Sequence, residues 1–345
     1  MFKRIVVPLD GSMRAERAIP VAARIVRASG GALILLRVVS TPLEIGSQVV
    51  PLSGYTASTL EADIEAAKSY LATLAGLEAL DGVGVKMMVP VGTAAQAIHD
   101  VVIAEQADLI VMCSHGNTGV KRWVLGSVAQ KVARHCTVPV LVLRQDGSMP
   151  TSSYPDHLRP LRSLMALVAL DGSALAEAAI LPAAALVQAL AAPARGALQL
   201  TRVITEQGEH GLRRPPTSAG THLKEHALLE AKTYLGSLID QQRQGPLAHA
   251  DLTLTWSVAI GRDVADTLIR SAENGEDAEG TKAYGGCDLV VLATHGRGGL
   301  ERWMLGSVTE RILGATRLPI LIVRPQEHHA QPASASMQVE AIHGL

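Results

Sequence analysis

Residues 4–9 form an apolar, β-rich run that stops at Asp10. From residue 12 to residue 29 apolar and polar positions alternate with helical spacing, and Ser12 stands where an N-cap belongs. Residues 32–39 are apolar again. The pattern then predicts a long helix over 57–80, a strand over 83–90 and a helix over 93–105. A strand over 107–113, a helix over 126–135 and a strand over 138–143 complete the series. The second half of the chain follows the same order. Nearly continuous apolar strands alternating with helices build a parallel sheet covered on both faces. Five strands and four helices per half fit a doubly wound, flavodoxin-like α/β domain, with strand order 3-2-1-4-5. In that layout ligands bind beyond the strand C-ends, between strands one and four. Asp10 ends strand one, and Ser114-His115-Gly116 follows strand four.

The two halves are copies of one another. Ile5-Val-Val-Pro-Leu-Asp10-Gly-Ser12 returns as Leu167-Val-Ala-Leu-Asp171-Gly-Ser173, at an offset of 161. Leu35-Leu-Arg-Val-Val39 returns as Leu200-Thr-Arg-Val-Ile204, at an offset of 165. Residues 114–128 return as 294–308, at an offset of 180, with nine of fifteen positions identical. Internal similarity of this kind means a tandem repeat. The reading divides the chain into repeat one (1–146), a Pro- and Ser-bearing linker (147–160), repeat two (161–325) and a flexible tail (326–345). The last insertion in repeat two, Asn274 to Gly286, is polar, acidic and Gly-rich and reads as a mobile loop.

Composition narrows the function classes. The 345 residues suffice for about two domains at roughly 150 residues each. Lys and Arg number 31 against 32 Asp and Glu, so the net charge of −1 gives no pull towards nucleic acid or an anionic membrane. Aromatics at 3% argue against stacking platforms for single strands. Three cysteines, Cys113, Cys136 and Cys287, make no disulfide framework and suit a reducing compartment; the first and last fall on or beside buried strands. The apolar run after Met1-Phe2-Lys3-Arg4 is too short for a signal segment. Leu175 to Leu200 is diluted by Ala and polar residues and reads as an Ala-rich amphipathic helix, not a span. The expectation is a soluble cytoplasmic protein.

The convergent residues suit an anion. Gly116, Gly119 and Gly126-Ser127 surround a loop that opens a helix, where glycine lets a ligand approach the main chain. The helix start offers unpaired N–H groups and a positive dipole end. Ser127 can cap that helix or bond a phosphate. Asp10 can hydrogen-bond ribose hydroxyls or help hold magnesium; equally, an Asp after a strand can serve only to start a helix. Gly296, Gly299, Gly306-Ser307 and Asp171 repeat the set.

These residues resemble the universal stress protein family, over nearly all of residues 1–325. The family's motif is Gly, two residues, Gly, nine residues, then Gly-Ser or Gly-Thr. The chain has Gly116 and Gly126-Ser127, then Gly296 and Gly306-Ser307, each with nine residues between. Cys113 and Ala293 stand at the first Gly. The resemblance implies two adenine nucleotide alpha hydrolase-like domains that bind ATP with Mg²⁺ and turn it over slowly or not at all. Asp10 and Asp171 would then meet the ribose, Val38 and Val203 the adenine, and Met112 and Leu292 would flank the base. Ser114, His115, Ser127 and Val128 would belong to the first loop site, and Thr294, His295, Arg297, Ser307 and Val308 to the second. Pro8 matches the family's strand-end Pro, where repeat two has Ala169. Family members dimerise through the last strand, so 138–143 and 319–324 are expected to pair as an internal pseudo-dimer, with a homodimer of chains left open.

Other signals are set aside. His222, Glu225 and His226 have the spacing of an inverted zinc-protease motif, but a solvated helix face is the plainer reading. His115 and His295 read as loop-positioning residues, and Trp123 and Trp303 as packing residues. No phosphate loop ending in Gly-Lys-Ser/Thr, dinucleotide fingerprint or nucleophile elbow occurs. Three functional classes remain: a nucleotide-binding regulator, a nucleotide-independent interaction scaffold and a slow ATPase. No catalytic residue and no metal site are assigned.

Overall fold

The structure, a computed structural model, describes residues 2–40, 57–114, 125–144, 163–205, 218–275, 278–280, 286–294 and 305–325. The first repeat runs β1 (Arg4–Leu9), α1 (Met13–Glu16), α2 (Ala18–Ser29), β2 (Ala32–Arg37), α3 (Ala57–Ala75), β3 (Gly84–Met88), α4 (Ala94–Ala104), β4 (Leu109–Cys113), α5 (Ser127–His135) and β5 (Val140–Leu143). The second runs β6 (Met165–Leu170), α6 (Ala174–Glu177), α7 (Ile180–Ala191), β7 (Gly196–Thr205), α8 (Ser218–Gln244), β8 (Leu252–Gly261), α9 (Val264–Asn274), β9 (Ala278–Gly280), β10 (Leu289–Ala293), α10 (Ser307–Ala315) and β11 (Ile320–Val323). The linker read over 147–160, the tail, Trp123 and Trp303 lie outside the described residues.

Four elements differ from the sequence reading, each for a physical reason. The Ala-rich helix read over Leu175 to Leu200 ends at Ala191, because Pro193 lacks the N–H the ladder needs, and gives way to β7 at Gly196. The helix expected over 12–29 is two helices, broken at Arg17. Pro20 has no N–H for the Glu16 carbonyl, and its ring crowds that carbonyl, so the ladder cannot run through. Pro182 does the same between α6 and α7. The helix expected over 57–80 ends at Ala75, before Gly76, and a short 3₁₀ turn covers Glu78–Leu80. Within the stretch read as a mobile loop, Ala278–Gly280 forms β9, antiparallel to Ser257–Ala259 of β8.

All eleven strands join one sheet, ordered β3-β2-β1-β4-β5-β11-β10-β6-β7-β8-β9. Each repeat thus has five parallel strands in the 3-2-1-4-5 order, and the second adds β9 antiparallel at its outer edge. Where the repeats meet, β5 and β11 run antiparallel, with Leu141 opposite Leu321. Pairing removes two open edges at once. Apolar side chains of alternate strand positions feed two cores, one on each face, and each core contains residues of both repeats. On one face α2 packs against α7. The segment Ala174–Ala191 is long and apolar enough by composition to cross a membrane, with mean hydropathy 1.8. Its α7 part is instead seated against β6, β7 and α2.

Arginines lock the junction. Arg144, one residue past β5, is buried and reaches into the other repeat, donating to the Leu313 carbonyl (2.9 Å) and the Leu318 carbonyl (3.2 Å). These carbonyls lie at and just beyond the C-terminal turn of α10, where a cation is favoured. Burial lowers the Arg144 pKa to about 10, so the group stays charged at neutral pH. Arg324, one residue past β11, returns the contact by donating to the Arg134 carbonyl near the end of α5 (2.9 Å). The side chains of Arg134 and Glu310 pair across the same junction.

The repeats differ inside the sheet. Where β2 carries Ile34 and Leu36, β7 carries Gln199 and Thr201, both buried. They are satisfied by Ser257 of β8: Gln199 Nε2 donates to its Oγ (2.8 Å), and Thr201 Oγ1 lies 3.0 Å from it.

Replacing Arg144 with Met strips a buried and a half-buried carbonyl of their donor. The expected loss is about 1–3 kcal/mol of unfolding free energy, read from urea denaturation, with a smaller loss for Arg324→Met because Arg324 is less buried.

Candidate functional site

The strand registers bring the candidate residues to one line. Leu9 lies beside Arg37 in the β1–β2 pair, and Val6 beside Ile110 in the β1–β4 pair. Extending both registers by the residues that follow sets Val38, Asp10 and Ser114 side by side just past three strand ends. The same extension in repeat two aligns Val203, Asp171 and Thr294. Beyond this line the chain leaves β4 and comes back. The Gly126 N–H donates to the Ser114 carbonyl (2.8 Å), and the Ser114 N–H to the Leu143 carbonyl (2.8 Å). The Gly306 N–H donates to the Thr294 carbonyl (3.0 Å), and the Thr294 N–H to the Val323 carbonyl (2.9 Å). Each loop is therefore pinched at its base, and α5 or α10 starts directly above the strand end. A Cβ on Gly306 would come 3.3 Å from the Thr294 oxygen, so the pinch favours glycine there.

Gly126 and Gly306 are the N-caps, and no side chain caps either helix. Ser127 and Ser307 are the first helical residues and are exposed. Of the two roles read for Ser127, capping is excluded: as first helical residue it lies past the cap position, which Gly126 fills. The first-turn N–H groups of both helices have no carbonyl of their own helix to bond.

The wall beside this line is apolar. Met112 belongs to the core on the α4–α5 face, and Val38 and Val128 pack against it half-buried. Leu292, Val203 and Val308 do the same in repeat two, with Ala169 beside them. Pro8 lies half-buried in β1. Cys113 belongs to the opposite core and Ala293 packs against it, on the α2–α7 face. The residues in place of the motif's first Gly thus send their side chains away from the apolar wall. Burial pushes the Cys113 thiol up to about 12, so it behaves as packing. His115, Gly116, Gly119, His295, Gly296, Arg297 and Gly299 lie outside the described residues.

Asp10 organises the start of the first helix. Its Oδ1 accepts from the Ser12 N–H (3.0 Å) and hydroxyl (2.6 Å), and Ser12 Oγ accepts from the Ala15 N–H (3.1 Å). Asp171, Ser173 and Ala176 repeat this at 2.9, 2.6 and 3.2 Å. The helix-starting role of this Asp is therefore present in both repeats. Below it sits a group that the sequence reading did not single out. Tyr70 of α3 donates to Glu16 Oε1 (2.9 Å), and the Arg37 guanidinium lies 5.6 Å from the Tyr70 ring centre. Tyr234 donates to Glu177 (2.7 Å), with Arg202 5.5 Å from its ring centre. The signal was present in the repeat itself, since Arg37 and Arg202 stand at matching places in matching strands. Glu225 and His226 are exposed on α8. Among the described residues no group of three or more His, Cys, Asp and Glu can hold a metal ion.

The family model described as the universal stress protein family matches residues 1–144 and again 165–324. The chain belongs to that family, as a tandem of two copies. It is 28% identical over 222 residues to universal stress protein Rv2005c of Mycobacterium tuberculosis, a match covering 64% of this chain. The chain spans 63% of the length of that mycobacterial relative. Universal stress protein MJ0577 of Methanocaldococcus jannaschii is 30% identical over 161 residues, covering 43% of this chain and 98% of that protein. A universal stress protein structure from Archaeoglobus fulgidus superposes with a TM-score of 0.57 at 18% identity, covering 94% of this chain and 97% of that one. It shares the two-repeat fold.

Burial first, then the bond to a carboxylate, raises the pKa of Tyr70 and of Tyr234. The shift is upward, so its contribution to stability is complete below the ordinary phenol range near ~10 and is lost as pH rises above it. In an alkaline absorbance titration, Tyr70→Phe and Tyr234→Phe are each expected to remove signal only from the step that accompanies unfolding.

Proposed function

We propose that each repeat binds an adenine nucleotide of the ATP class at its strand-end line, and that the protein is a stress-response regulator with little or no turnover. One observation carries the reading: an anion-competent helix start and a strand-end carboxylate face the same crevice beside an apolar wall, and the arrangement occurs twice. The base would lie against Val38, Met112 and Val128, or against Val203, Leu292 and Val308. The phosphates would take the first-turn N–H groups of α5 or α10, together with Ser127 or Ser307. Asp10 and Asp171 would accept from ribose hydroxyls while Oδ1 keeps its helix-starting bonds. Arg297 would add charge at the second loop, and His115 and His295 would position the loops.

ATP supplies a triphosphate whose charge such N–H groups neutralise. Mg²⁺ fits as a companion of the phosphates, because the strand-end line offers a carboxylate and the ion keeps several waters. The scaffold reading draws on Cys113 and Ala293; the direction of their side chains weakens it, since neither enters the apolar wall. Arg144 and Arg324 hold the two crevices in one rigid frame, which suits a protein whose output is a change of association in the cytoplasm.

The test is calorimetric titration with ATP and Mg²⁺, followed in parallel by Trp123 and Trp303 fluorescence. Two sites are expected. Gly126→Val is expected to remove the first and Gly306→Val the second, each by at least about tenfold in affinity, a branched side chain blocking main-chain approach. Unchanged affinity in the double variant refutes the proposal.

A further inference from the structure

Five groups close a ring around the end of β1. Asp10 holds Ser12, Ser12 caps α1, and α1 ends at Glu16. Glu16 accepts from Tyr70, and the Tyr70 ring carries the Arg37 guanidinium. The guanidinium then returns to the start, because it lies against Gly11, the residue next to Asp10. A Cβ on Gly11 would come within 2.8 Å of Arg37 Nη1. Gly11 has φ of +83°, a bend that residues with a side chain rarely adopt, and Gly172 has φ of +84°. Arg37 Nη1 is shielded from solvent and has no hydrogen-bond partner among the described residues, so it is placed by packing rather than by its own bonds. Tyr70 senses the charges of Glu16, Arg37 and Asp10 together, which puts all four groups within electrostatic reach. Tyr234 senses Glu177, Arg202 and Asp171 in the same way. Repeat two adds a carboxylate, since Arg202 lies 3.7 Å from Glu230 of α8.

A guanidinium fixed between a ring and a glycine bend does two things to the neighbouring carboxylate. It fixes the direction in which the chain leaves Asp10, and it sets a positive charge behind that carboxylate. Both matter where an anionic oxygen must accept from hydroxyls of a ligand that also carries phosphates, since an unbalanced carboxylate would repel it. We infer that Arg37 and Arg202 are positioning residues: each aims its crevice carboxylate, Asp10 or Asp171, and so makes the site selective for a ribonucleotide with free vicinal hydroxyls. The inference rests on the nucleotide reading given above and adds the selectivity to it. Arg37 touches no part of the ligand; it acts through the Gly11 bend.

The experiment compares ATP with 2′,3′-dideoxy-ATP, both with Mg²⁺, in the full chain bearing Gly306→Val so that only the first site is read. The single-site parent is expected to prefer ATP by about tenfold or more, as hydrogen bonds to a charged group give. Arg37→Met is expected to shrink that preference to about twofold, with dideoxy-ATP affinity little changed. Tyr70→Leu, which removes the other side of the clamp, is expected to do the same and carries the test if the first variant does not fold. A preference retained in both variants overturns the inference. So does an equal loss of affinity for the two nucleotides, which marks a structural role only. A parent that binds ATP and dideoxy-ATP equally also overturns the inference while leaving nucleotide binding intact, whereas a parent that binds neither fails the nucleotide reading itself.

Discussion

Parallel pairing of β1 with β4, and of β6 with β10, is the constraint on which the molecule turns. At that pairing the sheet order reverses, so the helices that follow the two strands leave towards opposite faces. Just past the strand ends, hydrogen-bond register sets residues far apart in sequence level with one another. Asp10 and Ser114 meet for this reason alone. The pinch from Gly126 to Ser114 then delivers α5 to the same strand-end line on which register places Asp10. Shift the β4 register by one residue and its two buried faces exchange cores, which the apolar run of β4 would barely notice. The pinch and the bond from Ser114 to Leu143 are what hold the register in a strand whose two faces are equally greasy.

The second constraint is the junction. A single antiparallel pair of four-residue strands would be a slender connection between two domains. It is reinforced by cores that pass from one repeat to the other on both faces and by α2 lying against α7. Arg144 is an expensive residue to bury, and its cost is offset because carbonyls near a helix end of the other repeat receive it. The two halves therefore act as a single packing unit, with both crevices fixed to one frame.

Much of this was legible in the sequence because it is carried by periodicity and repetition. Element order, sheet order and the strand-end carboxylates followed from apolar runs that occur twice, and the pairing of the two last strands from the resemblance to the family. The parts that escaped are carried by single atoms or by tertiary contact. Pro20 and Pro182 break helices whose side-chain pattern continues unbroken, because the pattern records faces and not main-chain donors. Ser127 looked like a cap, but glycine before it takes the cap position and the helix starts one residue earlier than a capping Ser127 would need. β9 lies in a stretch of poor strand formers and exists through pairing with β8, which no local signal reports. Arg37, Tyr70 and Glu16 are separated by 33 and 54 positions from one another, and only folding makes them neighbours.

The polar contacts of Gln199, Thr201 and Ser257 have no counterpart in the first repeat, where Ile34 and Leu36 hold the matching places. A dimer of identical subunits could not have drifted in this way, because every replacement would have appeared on both sides of the twofold axis. Fusing the copies into one polypeptide lifts that symmetry. One half is then free to wander while the other preserves the shared framework, and a pair of twins becomes a lineage of two specialists.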